Sequence, residues 1–163
     1  MTDLFQPVQL GALTLANRII MAPLTRCRAD ADHVPTAIMA EHYAQRASAG
    51  LIVAEATMVA EGNSAFWREP GIYSEAQIAG WKQVTDAVHA KGGRIFLQIW
   101  HGGRACHPAL NNGAIPVSAS AIAIDDTVHT PEGKLPYATP RALEDAEIPE
   151  IIEHFRQAAV NAK

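Results

Sequence analysis

The sequence predicts an α/β protein in which parallel strands alternate with helices. Three observations predict it. Short apolar runs recur at residues 19–22, 51–54 and 95–99, and each is bounded by glycine, proline or polar residues. Buried parallel strands read in this way. Segments with helical spacing follow the runs. Chemistry-bearing residues stand at or shortly past the end of each run: Thr25 past the first, Ala56 past the second, Gln98 in the third and Trp100 directly after it. Folds of this class gather their sites at the carboxyl ends of the strands, so these four residues are expected on one rim.

Each element can be justified in chain order. Residues 8–10 and 13–15 alternate on either side of Gly11 and predict a small hairpin. Residues 19–22 are the first strand of the parallel sheet, ended by Pro23. Pro35-Thr36 opens a helix with Thr36 as N-cap, and Gly50 is expected to end it. Residues 51–54 are the second strand, and the long segment from Thr57 to Tyr73 reads as a functional loop. Ser74 and Gln77 have capping-box spacing, with Ile78, Trp81, Thr85 and Val88 as the predicted apolar face. Lys91-Gly92-Gly93 closes that helix. Residues 95–99 are the third strand. Residues 101–143 form a long loop over the site face, with a small hairpin near Val117 or Leu135. A last helix begins near Asp145, with Pro149 in its first turn and Ile148, Ile151, Ile152, Phe155 and Ala159 on one face.

Composition narrows the function. At 48% hydrophobic and 18% charged the chain has globular composition. A net charge of −4 gives no basic surface for nucleic acid. No apolar run reaches the roughly 18 residues of a membrane span, and no basic-then-apolar leader opens the chain. Two cysteines, Cys27 and Cys106, are too few for a disulfide framework, so reduced thiols and a cytoplasmic location are the default.

Five blocks together resemble the old yellow enzyme family, the FMN-dependent ene-reductases. They are Asn17-Arg18-Ile19-Ile20-Met21-Ala22-Pro23-Leu24-Thr25-Arg26, the stretch from Gln45 to Thr57, Pro70-Gly71-Ile72-Tyr73-Ser74, Gln98-Ile99-Trp100-His101-Gly102-Gly103-Arg104, and Thr139-Pro140-Arg141-Ala142-Leu143. The resemblance implies a (β/α)8 TIM barrel, of which residues 1–163 would hold the amino-terminal hairpin and first three βα units. Such barrels take about 250 residues. The remainder would come either from a longer chain or from a second polypeptide.

The same resemblance implies FMN as cofactor, NADPH or NADH as reductant and small activated alkenes as substrates. Thr25 would hydrogen-bond the flavin, and Ala22, Pro23, Leu24 and Ala56 would lie against it. Gln98 would bind its pyrimidine edge. Trp100 would line the substrate pocket with Phe66 or Trp67, where the family often carries a tyrosine. The family's substrate-gripping imidazoles, its proton-donating tyrosine and its phosphate site fall beyond Lys163. Taken singly, Thr25 could be a turn residue, Gln98 a polar strand end and Trp100 core packing. Among seven histidines, His101 and His107 cluster with Cys106, but a structural zinc site wants four ligands, so no metal is expected.

Overall fold

The computed structural model describes residues 3–163. Strands β1 (Val8–Leu10) and β2 (Leu13–Leu15) form the antiparallel hairpin, with Gly11 supplying the positive φ of 56° at its turn. The central sheet contains β3 (Ile20–Met21), β4 (Leu51–Met58) and β5 (Ile95–Trp100), all parallel, in the order β3-β4-β5. Helices α1 (Ala37–Ala44) and α2 (Glu75–His89) are the crossovers between them. Strand β3 is shorter than the apolar run 19–22, and β4 runs four residues past the apolar run 51–54. Backbone pairing with β5 continues beyond Ala54 and carries Glu55, Ala56 and Thr57 into the sheet.

The helices cover one face of the sheet. Met39 and Tyr43 of α1 pack with Ile52 and Ala54 of β4 and with Trp81, Val84 and Val88 of α2. Burying such side chains is the main favourable term in folding, at about 25 cal/mol per Å² of apolar area. The buried face of α2 runs through Gln77, Gly80, Trp81, Val84 and Val88. Val84 therefore takes the inward place expected of Thr85, which is half-buried. The Ser74–Gln77 capping box forms in both directions. After the helix, Gly92 adopts φ 74° and its N–H bonds to His89 O, ending the turn as its sequence promised.

Two expectations about α1 need correction. The helix ends at Ala44 with Gln45 as C-cap, five residues before Gly50. The Thr36 side chain does not cap it; its hydroxyl donates instead to Arg28 O at 2.7 Å. Gly50 has a different task. Its N–H bonds to Ile19 O and Asn17 Oδ1, and a Cβ there would lie 2.1 Å from Asn17 O, so only glycine lets the two strands approach.

Residues 101–143 lie between β5 and the last helix, α3 (Ile148–Asn161). Within them β6 (Val117–Ser118) pairs in parallel with β9 (Arg141–Ala142). The hairpin proper is β7 (Thr127–Thr130) with β8 (Gly133–Pro136), around Leu135 and not Val117. A short 3-10 turn, Asp145–Glu147, leads into α3, where Pro149 sits in the first turn. Of the apolar face expected on α3, Ile148, Ile152 and Ala159 are exposed and Ile151 and Phe155 are half-buried; the buried residue is Ala158, outside that face. Asn161 Nδ2 donates to Ile72 O at 2.7 Å and ties the end of α3 to the loop after β4.

Candidate functional site

The three parallel strands deliver the expected residues to one rim, and a β-bulge makes this possible. Along β4 and β5 the partners are Val53 with Phe96, Ala54 with Leu97, and then Ala56 with Gln98. Glu55 is the extra residue between them. Without it the two-residue period would turn Ala56 towards the helices. With it, Val53 and Ala56 both face away from them, and Ala56 stands beside the exposed Gln98. On the neighbouring strand Met21 packs into the helix-side core, so Ile20 and Ala22 face the same way as Ala56 and Gln98. Pro23 and Leu24 follow, and Thr25 ends half-buried at the strand's exit.

The bulge residue braces this rim. Glu55 points to the helix side, where it is fully buried. Its Oε1 accepts from the Tyr43 hydroxyl at 2.9 Å, and its Oε2 accepts from the Arg26 N–H at 2.8 Å. Its own N–H donates to the Tyr43 oxygen. The carboxylate thus fixes the backbone immediately after Thr25. Burial raises the pKa of Glu55 against the lowering effect of these donors, and burial beside Glu55 raises that of Tyr43. Glu55 was not singled out from sequence. The available signal was a charged residue within a strand otherwise made of apolar and small side chains, which demands a buried partner.

Trp100 and Phe66 come together although 34 positions separate them. Their rings stack at a centroid distance of 5.9 Å and an interplanar angle of 17°. Trp100 Nε1 is buried and has no hydrogen-bond partner among the described residues. Trp67 turns outward, with the Arg68 guanidinium 4.8 Å from its ring centre. Side chains lace the loops after β4 and β5 to one another. Asn111 Oδ1 accepts from Ser64 N–H at 2.7 Å while its Nδ2 donates to Ser64 O and His107 O. Asn63 Oδ1 accepts from Gly102 N–H. A Cβ on Gly102 would come within 2.5 Å of Cys106 Sγ, so this crossing also requires glycine. Neither asparagine was singled out from sequence.

No group of three or more metal-binding side chains exists among the described residues. The pKa of His101 is lowered by burial and by His154. The Cys106 thiol is buried and pushed up to about 12, and burial also raises Cys27. Neither is an activated thiolate. No helix among the described residues is long and apolar enough to cross a membrane.

The amino-terminal hairpin and the parallel order β3-β4-β5 with its helical crossovers are those of the opening of a (β/α)8 barrel. Residues 3–163 match the NADH:flavin oxidoreductase / NADH oxidase family, and the chain belongs to that family, the one that contains the old yellow enzymes. It is 46% identical over 167 residues to an alkene reductase of Leishmania infantum named as flavin mononucleotide-dependent; the alignment covers 98% of this chain and 45% of the relative. The old yellow enzyme homologue of Zymomonas mobilis superposes with a TM-score of 0.96 at 49% identity, over 99% of this chain and 45% of that one. Morphinone reductase in complex with tetrahydroNAD gives 0.92 at 49% identity, over 99% and 46%. The chain therefore spans under half the length of the relatives it matches.

Proposed function

We propose that this chain supplies the amino-terminal part of the FMN site of an NADH- or NADPH-dependent ene-reductase. The observation that carries the reading is the pairing of Ala56 with Gln98 across the Glu55 bulge, with Ala22 directly after the adjacent strand β3. The donor set fits a flat ring with one polar edge. Ala22 and Ala56 are small enough for backbone to approach it, and Pro23 and Leu24 extend that floor. The Gln98 amide both donates and accepts, matching alternating acceptors and a donor along a pyrimidine edge. The chemistry that a bound FMN would supply at this site is hydride transfer from NADH or NADPH to the β-carbon of an alkene activated by a carbonyl, nitro or imide group.

Thr25 then donates its hydroxyl hydrogen where negative charge collects during reduction. Trp100 and Phe66 wall the pocket in which nicotinamide and alkene sit in turn, and they exclude water from it. The groups that polarise the alkene and protonate it come from outside residues 1–163. The direct test is the visible spectrum of the purified protein through gel filtration. Flavin bands that co-elute, and that are lost with Gln98→Ala, support the reading. Bands that co-elute undiminished in both Gln98→Ala and Thr25→Ala variants would overturn the site.

A second reading takes the chain as a piece that completes its barrel against another polypeptide. It rests on β3 and β5, which are the two edges of the central sheet, and on Ile20 and Phe96, which are about half exposed on its uncovered face. In that case the chain alone has no turnover. Sedimentation tests it: a monomer that retains flavin counts against it.

A further inference from the structure

We propose that Glu69 is a positioning residue for the Phe66–Trp100 wall, and that its buried carboxyl, bonded to the backbone beside Phe66, holds the wall closed. The inference rests on the reading of that wall as the edge of the substrate pocket. Glu69 has no part in the flavin floor, yet it is fully buried only three residues from the exposed Phe66. Its Oε1 accepts from Ala65 N–H at 3.0 Å, and the Phe66 N–H and Ser64 hydroxyl face the same carboxyl. Its Oε2 is buried with no partner among the described residues.

The Glu69 backbone is also committed. Its N–H donates to Phe66 O at 3.1 Å, and its carbonyl is 2.7 Å from His33 Nδ1. Ser64 Oγ grips the same Phe66 carbonyl at 2.9 Å. Glu69 therefore cannot move outward without releasing the Phe66 backbone, and with it the ring stacked on Trp100.

The surroundings make charge on Glu69 costly. From β4 it faces Glu55, whose negative charge opposes ionisation. Cys27 of the loop after β3, Cys106 of the loop after β5 and Tyr73 of its own loop all feel Glu69, and all three have raised pKa values that keep them neutral. The neighbouring cation, Arg68, lies on the Trp67 face. Desolvation outweighs the Ala65, Phe66 and Ser64 donors, which favour the ionised form, and pushes the Glu69 carboxyl up to about 8. An ionised carboxylate there is relieved by swinging towards water through the exposed segment 66–68, which separates Phe66 from Trp100.

Fluorine NMR of the chain carrying 5-fluorotryptophan tests this without flavin or turnover, with the Trp100 resonance assigned by Trp100→Phe. In the wild type that resonance is expected to move with a midpoint near pH 8. In Glu69→Gln it should remain at its low-pH position throughout, because the amide cannot ionise. A wild-type resonance that stays fixed from pH 6 to 10 would overturn the proposal, as would a transition that persists in Glu69→Gln. In flavin-loaded protein the same transition should weaken binding of a carbonyl-activated alkene about tenfold, read from the shift of the flavin absorbance bands. A resonance that titrates as described while that affinity stays flat would uphold Glu69 as the positioning residue and remove Phe66 from the substrate pocket.

Discussion

The two faces of the central sheet are built on opposite principles. On the helix side, Met39, Ile52, Val84 and Val88 are almost wholly buried, and the buried carboxyl of Glu55 is hydrogen-bonded at both oxygens. On the other side Ile20 and Phe96 remain 51% and 50% exposed, with Gln98 open between β5 and the rim. The helix side is stabilised by residues within this chain. The inner face of a (β/α)8 barrel is filled by layers of side chains from alternate strands. Stability and chemistry are therefore carried by different residues on the same three strands, and substitutions should separate them.

The largest effect should come from the helix side. Trp81→Ala removes a buried indole and its 3.1 Å hydrogen bond to Gly71 O, and should cost about 3–5 kcal/mol in denaturant unfolding. A loss below about 1 kcal/mol would show that this face is less tightly packed than it looks.

Glu69→Gln should act through pH. Glu69 has a folded pKa of about 8, above the ordinary carboxylate value. Between those values the folded chain keeps a proton that the unfolded chain has released, so stability falls as pH rises through this window and levels off above it. The glutamine variant escapes that loss. It should gain roughly 2 kcal/mol or more on wild type at pH 9 and differ by less than about 1 kcal/mol at pH 4.5, as read from urea midpoints.

Tyr43→Phe should cost about 1–3 kcal/mol by leaving Glu55 Oε1 without its donor. The loss should grow with pH, because the orphaned carboxyl becomes harder still to ionise. Equal loss at pH 4 and pH 8 would mean that Glu55 is never charged in the folded chain. The smallest stability change is expected on the open face. Gln98→Ala should shift unfolding by no more than about 0.5 kcal/mol, while weakening FMN about tenfold in a fluorescence titration. Should Gln98→Ala destabilise the chain as much as Tyr43→Phe does, the division between the faces would be wrong.

Much of the frame was legible in the sequence because its signals are local. Ser74 and Gln77 need only three residues to form their box, and Gly92 needs only its own backbone freedom. Thr25, Ala56 and Gln98 could be read as candidates because each lies just past or inside an apolar run within a block that resembles a known family. Long-range pairing hid the rest. Glu55 reads as a surface carboxylate until Tyr43 and the Arg26 N–H are brought to it. Asn111 reads as a loop residue until Ser64, 47 positions away, takes both ends of its amide. Val117 pairs with Arg141 in parallel, and nothing near either residue announces that partner. The exposed Ile148 and Ile152 keep the helical period that marked them, but their burial is not a local property.

The bulge also governs how this strand tolerates insertions and deletions. Val53 and Ala56 share a face although three positions separate them. Removing one residue at Ala54 or Glu55 would restore the simple two-residue period and leave both neighbours in phase. Losing a residue elsewhere in β4 would invert everything downstream and carry Ala56 away from Gln98. A shortened β4 could thus keep its rim, but loss of Glu55 would release the backbone beyond Thr25.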